Sequence, residues 1–167
     1  MRGALPKPAL QLMIGDKELR AIGHVAAQWA YLETQLDGVA NILIHQPSTK
    51  ALGMKLDQAF QRRMDTLRRA AKLVFDKEQN ELEALLLIAN DASSLRSLRD
   101  DIVHGHWKLH REPRKGLTTG IRVYSQRPTF RVCNLAFSAE KAESVATKIS
   151  KTNMRLISWC MRNIPQR

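Results

Sequence analysis

Cysteine is nearly absent from this chain, acids are outnumbered, and no long apolar run occurs in its 167 residues. Two cysteines, Cys133 and Cys160, are too few for a disulfide framework, and neither stands in a metal-ligand pair. A reducing compartment is the simplest expectation. No stretch reaches the ~18 consecutive apolar residues of a membrane span. The apolar segment around Leu10 to Ile14 is broken by Gln11 and is too short for a secretory signal. The expectation is a cytoplasmic protein with no membrane partner. No internal repeat and no low-complexity segment is present, and the length suits one domain, 1–167, with a core that needs no staples.

The shortage of acids is informative. There are 16 Asp+Glu against 27 Lys+Arg, a formal net charge of +11 and a pI near 10.2. Such a field attracts polyanions over roughly a Debye length, about 8 Å at physiological salt. Nucleic acid is the usual partner of such a surface, an anionic membrane surface a less common one; simple solubility is the remaining alternative.

The pattern of apolar residues predicts a mostly α fold. Residues 1–15, with Pro6, Pro8 and Gly15, read as an extended lead-in. Asp16 is expected to cap a first helix running to about Ile44, on the stripe Leu19, Ile22, Ala26, Trp29, Leu36, Ala40, Leu43. His45 to Ser48 should end it, because the residue before Pro47 resists helical geometry. A second helix is expected from about Asp57 to Val74, burying Leu56, Phe60, Met64, Leu67, Ala71 and Val74, with Arg62, Arg63, Arg68, Arg69 and Lys72 around the rest. A third runs from about Glu78 to His104 on Leu82, Leu85, Ala89, Ala92, Leu95, Arg99 and Ile102, with Gly105 as its stop. Residues 107–137 change character: three short β-prone runs separated by turn sequences predict a small antiparallel meander. Ser138 should cap a last helix with Ala142, Val145, Ile149, Leu156 and Cys160 inside. The expected architecture is a four-helix bundle with a β meander inserted before the last helix.

The richest segment is Leu98-Arg99-Asp100-Asp101-Ile102-Val103-His104-Gly105-His106-Trp107. On a helix Arg99 and His104 stand about 140° apart, Asp100 falls between them, and Asp100 and His104 form an i,i+4 pair able to touch. A guanidinium for a phosphate, a titratable imidazole and a carboxylate to orient it are the parts a phosphodiester-cleavage site requires. The spacing alone is weak, since chance supplies roughly half an occurrence of it. The adjoining acid, the position at the end of a long amphipathic helix and the glycine that follows give it weight.

Arg99-Asp100-x3-His104 followed by Gly105 resembles the signature of the HEPN family, Arg-(Asn/Asp/His)-x3-His. The run Trp29-Ala30-Tyr31-Leu32-Glu33 is also similar to the first helices of that family. The resemblance covers roughly residues 16–107 and extends to the last helix; the β-prone insertion is outside the family's core. It implies an HEPN-like helical bundle, usually a homodimer, and often metal-independent RNA cleavage with Arg99, Asp100 and His104 as the catalytic set. No metal and no cofactor are implied. Some members are inactive binding modules or partners of a nucleotidyltransferase.

Other residues fit around this core reading. Glu33 lies on the apolar stripe between Trp29 and Leu36, where an unpaired charge is costly to bury. It is expected to hold Arg99, or else to edge the stripe and reach solvent. His106 either assists at the site or points elsewhere. His24 and His45 read as surface or partly buried fillers. His104, His106, His110 and Cys133 match no standard zinc spacing. Between Lys108 and Arg131 stand Lys108, Arg111, Arg114, Lys115, Arg122, Arg127 and Arg131 against one acid, Glu112, with Tyr124 and Phe130 interleaved. That stretch either guides an RNA strand, through Lys108, Arg111, Arg122, Tyr124, Arg127 and Arg131, or is a solvated hairpin. The tryptophans read as core anchors. The expected function is an endoribonuclease of RNA, in the manner of a toxin or phage-defence effector with an antitoxin or inhibitor protein as a further partner. The alternatives are a non-catalytic nucleic-acid- or protein-binding module, and a structural dimer whose motif is coincidence.

Overall fold

The computed structural model describes residues 14–112, 117–126 and 129–164, with side chains described outside 106–137. Four long helices form the bundle: α1 (Asp16–Ile44), α3 (Phe60–Val74), α4 (Gln79–His104) and α5 (Ala139–Asn163). A single turn, α2 (Pro47–Lys50), sits between the first two. Three strands lie between α4 and α5: β1 (His106–Glu112), β2 (Leu117–Gln126) and β3 (Thr129–Phe137). They pair antiparallel in the order β1-β2-β3, with Tyr124 opposite Arg131 and Arg122 opposite Cys133. Among the described residues no helix is long and apolar enough to cross a membrane. Only Ile14 and Gly15 of the expected lead-in are described; the rest lies outside the described residues.

The four long helices bury one continuous core. α1 packs most extensively on α5 and also contacts α3 and α4. Leu32, Leu36 and Leu43 from α1, Met64 and Leu67 from α3, Leu85 from α4, and Ile149, Leu156 and Trp159 from α5 are almost wholly enclosed. Fully burying a side chain of this size contributes about 1.5–3 kcal/mol, which is why the stripe outweighs local propensity.

Several expectations are corrected in detail. Asp16 is not the N-cap of α1. Gly15 is, in an extended conformation and without a side-chain cap, and its carbonyl accepts from the Leu19 amide at 3.0 Å. Asp16 and Glu18 lie in the first turn, where negative charge favours the helix dipole. The stripe of α1 is also rotated in its first half: Ala21 and Val25 are buried, whereas Leu19, Ile22 and Ala26 are only partly covered. α3 begins at Phe60 and not at Asp57, whose carboxylate accepts from the Ala59 amide at 2.8 Å just ahead of the helix. Gly105 stops α4 in an extended conformation, and no left-handed turn is needed because the chain passes directly into β1. Ser138 caps α5 as expected, accepting from the Lys141 amide at 3.1 Å.

Candidate active site

Trp29 and Glu33 are one turn apart on α1. The indole Nε1 donates to Glu33 Oε2 at 2.7 Å, which fixes the carboxylate against the ring. Phe60, the first residue of α3, packs its ring 5.2 Å from that of Trp29 at 50°. The pair forms an aromatic floor at one end of the bundle. The last turns of α4 cross it: Arg96 meets Phe60, Arg99 meets Trp29 and Glu33, and Asp100 and His104 stand beside them.

Arg99 is the centre of the arrangement. Its guanidinium carbon lies 4.7 Å from the Trp29 ring centroid, a cation–π geometry. Its Nη1 is 2.7 Å from Asp100 Oδ1, and its Nη2 is 3.7 Å from Glu33 Oε2. The same Nη1 stands 3.3 Å from His104 Nε2. A guanidinium can only donate, so this contact requires Nε2 to be the unprotonated nitrogen. His104 itself is exposed at the end of its helix. A shielded cation and an accessible imidazole therefore stand side by side, although their side chains leave the helix about 140° apart.

Glu33 does meet Arg99, but its nearer partner is Arg63 of α3. Arg63 Nη2 donates to Glu33 Oε1, and Arg63 Nε lies 2.8 Å from Asp37 Oδ1 without hydrogen-bond alignment. Arg63 also donates to the Gln58 carbonyl at 2.7 Å and is covered down to 12% exposure. This corrects the placement of Arg63 on the outer side of its helix. Arg68, placed there too, is also mostly covered: it reaches Asn90 and Ser93 on α4 at 3.1 and 2.9 Å. Burial pushes the Asp37 carboxyl above the usual range; Arg63 pulls it back, and Glu33 adds to the rise.

Asp100 lies on the arginine side. Beyond Arg99, its Oδ2 is 3.6 Å from Arg96 Nε. Three carboxylates (Glu33, Asp37, Asp100) thus face three guanidiniums (Arg63, Arg96, Arg99) across one aromatic pair. Such a set holds because every member has a partner; removing one strands another.

The remaining expected site residues divide in two. The side chains of His106, Lys108, Arg111, Arg122, Tyr124 and Arg131 lie outside the described ones, and Arg127 lies outside the described residues altogether. The zinc grouping set aside from spacing falls there as well, apart from His104. Among the described residues no group of three or more His, Cys, Asp or Glu is placed to hold a metal ion. His24 and His45 are exposed; His24 pairs with Glu143 at 2.7 Å. Trp29 and Trp159 are core residues, 3% and 0% exposed. Sequence reasoning missed Phe60 and Arg63 as parts of the site. Their i,i+3 spacing at the start of a helix is the one local sign that they share a face.

No protein-family model, no curated protein and no solved structure matches this chain.

Proposed function

We propose that the chain is an HEPN-like endoribonuclease that needs no metal and acts on RNA in the cytoplasm. The observation that carries the reading is the 3.3 Å approach of Arg99 Nη1 to His104 Nε2, with the imidazole exposed and the guanidinium anchored. In this mechanism Arg99 turns from His104 to the phosphate, and the Nε2 lone pair it releases takes the proton of the RNA 2′-hydroxyl. The 2′-oxygen attacks the adjacent phosphorus, the bond to the 5′-oxygen breaks, and that oxygen leaves with a proton from a general acid. Arg99 offsets the charge that builds on the non-bridging oxygens. Products carry 2′,3′-cyclic phosphate and 5′-hydroxyl ends.

The attacking and leaving oxygens lie on opposite sides of phosphorus. A single imidazole does not span both. A two-fold homodimer supplies a second His104 from the far side, and isologous dimers are the commonest assembly. In a monomer His106 is the competing donor. Basic residues of the insertion, Lys108, Arg111, Arg122, Arg127 and Arg131, with the aromatic Tyr124, would guide the strand. An activity of this kind fits a toxin or defence effector restrained by an inhibitor protein.

The competing reading is a non-catalytic binding module, and one observation favours it: Arg99 is already held by Trp29, Glu33 and Asp100. The deciding experiment incubates the pure protein with mixed RNAs in EDTA, with His104→Ala alongside. Cleavage by wild type only, with cyclic phosphate ends, is expected. Cleavage of 2′-deoxy substrate, or a strict need for Mg²⁺, rules the mechanism out. In the same assay a dimer of wild-type and Arg99→Ala/His104→Ala chains should lose most activity. Half the wild-type rate would put a whole site in each subunit.

A further inference from the structure

Two arginines of α4 are presented alike and neutralised differently. Arg96 and Arg99 are three residues apart, on neighbouring turns of one helix face. Each guanidinium rests on an aromatic ring: Arg99 at 4.7 Å from the Trp29 centroid, Arg96 at 5.5 Å from that of Phe60. The rings are 5.2 Å apart and inclined by 50°, so the two cations sit on one aromatic pair, and Arg63 shares the Phe60 ring at 5.9 Å. Arg99 is engaged by Glu33, Asp100 and His104 and is 16% exposed. Among the described residues Arg96 has a single ion pair, Nε to Asp100 Oδ2 at 3.6 Å, and it is 40% exposed. Asp100 already serves Arg99 at the shorter distance of 2.7 Å. The terminal nitrogens of Arg96 make no hydrogen bond among the described residues.

An arginine that lies near a ring face, is 40% exposed and has its charge only partly offset suits an oxyanion that can accept two parallel hydrogen bonds. We propose that Arg96 is a phosphate subsite, holding the backbone phosphate next to the one on which Arg99 and His104 act. The identity of the ligand, a single-stranded RNA backbone, rests on the endoribonuclease reading; the subsite adds to it a register. The protein reads at least two consecutive phosphates, the scissile one at Arg99 and its neighbour at Arg96. Phe60 is a positioning residue for Arg96: its ring offers the guanidinium a face and keeps it from turning wholly to Asp100.

Short substrates test this. A dinucleotide carries one phosphate and a trinucleotide two; 2′-deoxy forms of both are bound without being cleaved by the proposed route. Wild type should gain about tenfold or more in kcat/KM, and in affinity for the 2′-deoxy ligands, from the second phosphate, as expected for a charge-assisted contact. Arg96→Ala should lose that gain, mainly in KM, and its log–log salt slope for the two-phosphate ligand should flatten by about 0.7. Arg96→Lys should keep part of it, since the charge remains and the fork is lost. Equal losses on both ligands, or an undiminished gain, would overturn the subsite while leaving cleavage intact. If wild type cleaves nothing yet shows an Arg96-dependent gain on the 2′-deoxy ligands, the subsite stands and the nuclease reading fails. Binding of neither ligand overturns both.

Discussion

α3 is bounded by two phenylalanines, and each meets a tryptophan, yet the two ends of the bundle they mark are built on opposite principles. At the far end Phe75 meets Trp159 edge-on at 5.3 Å. Trp159 is fully enclosed, and its indole donates to the Glu81 carbonyl at 3.0 Å, a neutral bond within the fold. At the near end Phe60 meets Trp29 at 5.2 Å, but that indole donates to the carboxylate of Glu33, and three arginines and three acids gather around the pair. Aromatic area stabilises both ends. The far end has one ion pair, Arg162 Nη2 to Glu81 Oε2 at 3.6 Å, on its exposed rim; the near end gathers a cluster of charges whose partners could be exchanged for a ligand. Paired burial of charge is a poor source of stability, since desolvation offsets most of the attraction. The concentration of ions there thus points to use more than to support.

That contrast can be broken by exchanging losses between the two ends. His104→Ala should slow RNA cleavage by about 10²–10⁴-fold, the usual share of a general base. Its unfolding midpoint should stay where it was, because exposed positions cost little. Trp159→Ala should do the reverse: a loss of about 3–5 kcal/mol in urea unfolding, with the rate per folded molecule preserved. A Trp159 variant that folds normally but does not cleave would erase the distinction.

Glu33→Gln should show the intermediate case. It leaves Arg63 and Arg99 short of a carboxylate in a cluster that is mostly but not wholly covered. A loss of about 1–3 kcal/mol is expected, below the 3–5 kcal/mol of a fully buried pair. Cleavage should slow as well, because Arg99 loses one of its anchors. An unaltered melting curve with an unaltered rate would mean that Glu33 merely edges the stripe.

The smallest effect concerns Asp37. Its carboxyl is pushed up by burial, so the folded state disfavours the ionised form. A carboxylate raised in this way adds a cost above its folded pKa that fades as pH falls towards its unfolded value. Asp57, held by the Ala59 amide, and Glu140, held by Lys17, are shifted the other way. Asp37→Asn should therefore unfold at equal or slightly higher urea at pH 7, and the difference from wild type should vanish in acid. A clear loss at pH 7 would mean that the attraction of Arg63 outweighs desolvation.

The mostly helical class and most limits of the long helices were legible because stripe, cap and stop agree there; the start of α3 and the cap of α1 were not. Ser138 with Glu140 marks the start of α5, and Pro47 limits α1. α2 was not legible: four residues hold no period, and what fixes them is Thr49, buried and bonded to the Leu43 carbonyl. Arg99, His104 and Glu33 stood out by spacing and by an acid on an apolar stripe. Arg63 and Arg96 did not. A string of arginines on a short helix reads as solvated, and nothing local tells that residue 63 reaches residue 33. That information belongs to the packing of α3 across α1, which periodicity does not encode.

The chain leaves the bundle at Gly105, one residue past His104, and re-enters it at Ser138. α4 and α5 pack directly on each other, so both ends of the excursion are held by the bundle. The entropic cost of such a closed excursion rises only slowly with its length, by about 0.6 kcal/mol per doubling. The segment is thus an exchangeable cassette socketed beside His104. It can be lengthened, shortened or rewritten while the helices below it, and the cluster around Trp29 and Phe60, keep their places.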